Sequence, residues 1–71
     1  MSKKSKIYTD SMRKYLTGQI SKHEINARVF LENPVGVEEH PDVVATLEEE
    51  LGKIAEYKDK LDALDDLTFG G

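Results

Sequence analysis

Few residues in this 71-residue chain have side chains that do chemistry at neutral pH. Two histidines, His23 and His40, are the only side chains of the type that ordinarily exchanges protons there. As metal ligands they would have to converge with Glu24, Glu38, Glu39 or Asp42, and no HxxxH or HxxE spacing places such a set on one helix face. The run Glu48-Glu49-Glu50 points in three directions around a helix, so it reads as a solvated face and not as a catalytic carboxylate pair. No serine or threonine stands in an organised His–acid frame, and Gly18, Gly36 and Gly52 are isolated, so no phosphate-cradling loop forms. Cysteine is absent, which excludes disulfides and thiolate metal sites. The expectation is a non-enzyme without catalytic residues, metal, cofactor or small-molecule substrate.

Composition narrows the class further. A chain of this size is one domain with a thin core, of the kind often helped by oligomerisation. No apolar run is long enough to span a membrane, and the basic start from Met1 to Lys6 leads into no hydrophobic signal core. A cytoplasmic location is expected. The net charge of −4 hides a division: residues 1–31 carry seven basic side chains against two acidic ones, whereas residues 32–71 carry three lysines against twelve acids. A basic half folding back on an acidic helix accounts for this more simply than a nucleic-acid face does.

The elements that would position any site are helical. The longest stretch, from His40 to about Leu67, starts with Pro41 and Asp42, types that suit a first helical turn. Val44, Leu47, Leu51 and Ile54 follow at 3-4-3 spacing, and the apolar run then steps to Tyr57, Leu61 and Leu64. In heptad terms the 3-3 step through Ile54 is a stammer. Glu49–Lys53 and Glu56–Lys60 have the spacing of stabilising i,i+4 pairs, and Gly52 costs about 1 kcal/mol against alanine with no packing reason in view. About 27 residues make a rod of roughly 40 Å, longer than the roughly 25 Å width of a compact globule of this length.

The first half divides at Gly18. A short helix from about Thr9 to Thr17 is expected to end there, after a flexible basic arm over residues 1–6. Ser21 and Glu24 then have the spacing of a capping box, and Ile20 with Ile25 that of a hydrophobic staple, so a second helix is expected from Lys22 to about Glu32, with His23 in its solvated first turn. Asn33-Pro34 would stop it. Residues 33–40 read as a loop in which Val35 and Val37 plug the end of the bundle, and residues 68–71 as a flexible tail.

The segment Ser11–Leu31 has the outline of a helix-turn-helix. In that frame, however, Lys14 and Glu24 occupy positions that require a small and a buried apolar residue. The segments Ile7-Tyr8-Thr9-Asp10-Ser11-Met12-Arg13-Lys14-Tyr15-Leu16, Asn33-Pro34-Val35-Gly36-Val37 and His40-Pro41-Asp42 together resemble small helical proteins carried by large tailed bacteriophages. The resemblance implies an accessory protein made in the cytoplasm of an infected bacterium, and it assigns no functional residue.

The expected fold is all-α: two short helices forming a hairpin packed on one long C-terminal amphipathic helix, within a single helical domain over residues 7–67. The expected core is Met12, Leu16, Ile20, Ile25, Val29, Phe30, Val44, Leu47, Leu51 and Ile54. That packing leaves Tyr57, Leu61, Leu64 and Leu67 without cover, and they are the expected contact surface for a homodimer or another protein partner. The alternative is a nucleic-acid accessory factor working through Lys3, Lys4, Lys6, Arg13, Lys14 and Arg28.

Overall fold

The computed structural model describes residues 3–32 and 42–70. Two helices account for nearly all of these: α1 over Lys3–Glu32 and α2 over Val43–Asp65, the second running on into a π-helical turn over Asp66–Gly70. The chain is all-α over the described residues, and the two helices pack against each other as an antiparallel hairpin. Arg13 near the start of α1 meets Asp65 at the end of α2, and His23 further along meets Glu50. The molecule measures 54 × 17 × 13 Å, with a radius of gyration of 16.2 Å. A compact chain of this length would have a radius of gyration near 11 Å.

The expected two short helices are one. Gly18 lies inside α1, and Ser21 with Glu24 occupies its interior instead of capping a new start. Phase explains this. The more covered residues of α1 recur at Thr9, Arg13, Leu16, Ile20, His23, Ala27 and Phe30, an unbroken 4-3 alternation that any break at Gly18 would rotate out of line. One interior glycine costs only about 1 kcal/mol, less than the burial of Leu16 and Ala27 that continuity secures. Lys3, Lys4 and Lys6, expected on a flexible arm, form the first turns of α1.

Across the seam, α2 presents Val43, Leu47, Glu50, Ile54, Tyr57, Leu61 and Leu64, followed by Thr68 of the π-helical turn, again at 4-3 spacing. The stammer disappears once Glu50 replaces Leu51 in the stripe. Val44 and Leu51 consequently face solvent, as do Met12, Ile25 and Val29 on α1, whereas Leu16, Ile20, Phe30, Leu47 and Ile54 are covered to differing degrees. Among the described residues only Leu16 and Ala27 are buried, at 3% and 8% exposure.

The start of α2 lies two to three residues after the expected one. Asp42 is its cap: the side chain accepts from the Ala45 N–H at 3.3 Å, and its carbonyl accepts from the Thr46 N–H at 3.2 Å. Pro41, His40 and the loop valines lie outside the described residues. A Cβ added to Gly18 or Gly52 would meet nothing within 4 Å, so both glycines sit on open outer surface.

Candidate functional site

The residues with the richest chemistry meet inside the seam. His23 is 12% exposed and Glu50 24%, and the imidazole Nδ1 lies 2.6 Å from a Glu50 carboxylate oxygen. With the proton on Nδ1, His23 donates to the carboxylate and satisfies it. Tyr57, one heptad beyond Glu50, stacks on the same imidazole with ring centres 5.9 Å apart and planes 14° from parallel. His23 is thus a knob straddled by Glu50 and Tyr57, level with Ile54 on the facing helix. Both residues were expected in solvent. As a lone polar side chain each belongs in solvent, but paired across the seam each supplies the hydrogen bond that makes burial of the other tolerable.

Tyr57 also meets Tyr15 edge to face, with centres 6.4 Å apart and planes at 82°. The hydrogen bond to Tyr57 and then the charge repulsion of that neighbour, with a smaller contribution from partial burial, push the Tyr15 phenol above its ordinary 10.0. A second polar layer lies towards the open end of the hairpin. Arg13 donates to Asp65 at 2.5 Å, and its guanidinium stands 5.0 Å over the Phe69 ring. The groove nearest the His23 layer is shallow and lined by Asn26, Val29, Phe30, Thr46 and Glu50. Among the described residues no three metal-binding side chains converge. The work this arrangement does is register: shifting one helix along the other would separate two polar pairs.

The expected contact surface is redistributed. Tyr57, Leu61 and Leu64 lie on the inner seam and are half-buried against α1, so the idea that they lack cover within the chain is corrected; the first half is a single helix that reaches them. Leu67 stands outside, 80% exposed. Of the basic residues, Lys6 pairs with Asp10 at 3.0 Å and Arg13 with Asp65, whereas Lys3, Lys4, Lys14 and Arg28 have no ion-pair partner among the described residues. On α2, Lys53 pairs with Glu56 at 4.0 Å and Lys60 lies over the Tyr57 ring, in place of the expected i,i+4 pairs.

What sequence reasoning missed is a lateral flank of α1. Tyr8, Met12 and Tyr15 recur at 4-3 spacing beside the seam, and all three are exposed, Tyr8 at 74%. Their spacing is visible in the sequence, and Met12, expected in the core, stands on this flank instead. The opposite flank is charged, with Glu24 of α1 reaching Lys58 of α2 at 4.0 Å. No helix among the described residues is long and apolar enough to cross a membrane. Comparison with protein families, curated proteins and solved structures yields no match.

Proposed function

We propose that this protein is a non-enzymatic helical module that acts by protein–protein contact, as an adaptor, inhibitor or assembly factor. One observation carries the reading: the chain exposes 5697 Å², whereas a folded monomer of 8.0 kDa is expected to expose about 4,500 Å². The excess includes large apolar side chains, among them Tyr8, Met12, Tyr15 and Leu67, set against only two buried residues among those described. Apolar surface of this extent on a thin hairpin is what a partner covers.

The resemblance to bacteriophage proteins makes infected bacterial cells the place to look for that partner. The test is affinity capture of the full chain beside its Tyr8→Glu/Met12→Glu variant, followed by mass spectrometry. A protein retained by the first and lost by the second is expected. Identical recoveries, together with a purified chain that stays monomeric, would overturn the reading.

A nucleic-acid role is the second reading, favoured by five basic side chains on α1, Lys3, Lys4, Lys14, Lys22 and Arg28, that have no ion-pair partner among the described residues. It requires retention on DNA or RNA that falls steeply with salt.

A further inference from the structure

We infer that the hairpin pairs with a second copy of itself, face to face through the flank bearing Tyr8, Met12 and Tyr15, with the two-fold axis running along the hairpin. This rests on the contact reading above and names the partner. Area is the first support. The surplus of roughly 1,200 Å² per chain exceeds the roughly 800 Å² that each partner loses in a standard interface, so the chain has surface enough to form one with a single copy.

Charge is the second, and it selects the arrangement. Over α1 seven basic side chains oppose three acidic ones, and over α2 three lysines oppose seven acids, so the helices carry +4 and −4. Two such hairpins can meet face to face in two symmetric ways. With the axis across the hairpin, α1 lies on α1 and α2 on α2, like charge against like. With the axis along it, each α1 lies beside the α2 of the other copy, and all four helices have oppositely charged neighbours. A second copy therefore supplies the complement that each helix needs.

The third support is which flank closes. On the Glu24–Lys58 side, helical phase also places Asp10, Lys14, Arg28 and Asp62, so closing that face would strip water from many charges. The Tyr8–Met12–Tyr15 side carries fewer: Lys22 alone on α1, with Glu49, Lys53, Glu56 and Lys60 on α2. With heights set by His23 opposite Ile54, the along-axis arrangement brings Tyr15 against Ala63 of the second copy and Lys22 against Glu56 of the second copy: large against small, and positive against negative.

Sedimentation equilibrium of the full chain is expected to give a dimer, with the Tyr8→Glu/Met12→Glu variant at least 100-fold weaker in association and Leu51→Glu, on the charged flank, within about threefold of the parent. The chain has no cysteine, so single-cysteine variants report geometry directly. A mixture of Lys22→Cys and Glu56→Cys chains should form the mixed disulfide in preference to either self-linked species. A monomer at all concentrations, loss of the dimer in Leu51→Glu instead, or predominant Lys22→Cys self-linking would each overturn the inference. A monomeric parent whose captured partner is still lost with Tyr8→Glu/Met12→Glu would overturn the second copy alone and leave the contact reading standing.

Discussion

The seam of this hairpin and its Tyr8–Met12–Tyr15 flank reverse the usual distribution of side chains. The seam should be apolar, yet two of its layers are polar: His23 with Glu50, and Arg13 with Asp65. The flank should be polar, yet three successive turns of α1 present large apolar side chains to solvent. The contrast separates two tasks. Polar layers contribute little net stability but penalise every wrong register, because sliding strands a half-buried charge. Apolar surface contributes affinity with little constraint on register. Uniqueness of the fold and the capacity to associate are thus carried by different strips of the same helix.

The largest break in that contrast should come from the apolar part of the seam. Leu16 is the best-buried side chain, and Leu16→Ala should cost about 2–5 kcal/mol, as deletions of buried leucine do. Total stability for a chain of this length is about 4–11 kcal/mol on usual scaling. Circular dichroism should therefore show severe loss of helix or a much lower melting temperature. Met12→Ala, on the flank, should change either by a few tenths of a kcal/mol at concentrations where the chain is monomeric.

The polar layer comes next. His23→Ala leaves the Glu50 carboxylate half-buried without its partner and should cost about 1–3 kcal/mol. Replacing both His23 and Glu50 with leucine should restore or exceed the original stability while relaxing register. Paired spin labels, one on each helix, would then report a broadened distance distribution. A single narrow distance in the double variant would show that the polar layer does not set register.

Helical class was legible because no segment alternates like a strand and apolar residues recur at helical spacing throughout. The stripe itself was misread. Val44 and Leu51 are apolar, and Glu50 is not, so hydropathy chose the wrong side of α2 by one position. The 3-3 step that resulted was the trace of the error, since placing Glu50 in line removes it. Local signals misled at Gly18 for a related reason. The capping spacing of Ser21 and Glu24 is real, but it competes with a phase running from Thr9 to Phe30, which only the facing helix makes valuable. The expected contact surface lies where α2 outruns two short helices. Once α1 proved continuous, uncovered apolar surface lay on the flank instead.

A smaller effect tests whether outward positions are free of packing, as both glycines indicate. Gly18→Ala and Gly52→Ala place a methyl group in open space and remove backbone freedom from the unfolded chain, so each should stabilise by about 0.5–1 kcal/mol. Being far apart and sharing no neighbour, they should add. For a chain of this size each corresponds to a rise of a few degrees in melting temperature. A loss at Gly18 would mean that the α1 backbone is strained there and that continuity across it is less secure than the unbroken phase suggests.

The smallest effect sits where seam and flank meet. Tyr15 touches Tyr57 of the seam and lies on the exposed flank, and its phenol is raised above 10.0, first by the hydrogen bond to Tyr57. Because the folded value lies above the unfolded one, this contribution to stability is fully present below pH 10.0 and is lost as pH rises through the raised value. Tyr57→Phe removes the first cause and should return the Tyr15 transition, followed by ultraviolet absorbance in a Tyr8→Phe background, towards 10.0. The same titration sharpens the contrast. If a second copy covers the flank, added desolvation should raise the Tyr15 transition further as the protein is concentrated. An invariant transition in a sample that sedimentation shows to be dimeric would place the interface on some other face of the hairpin.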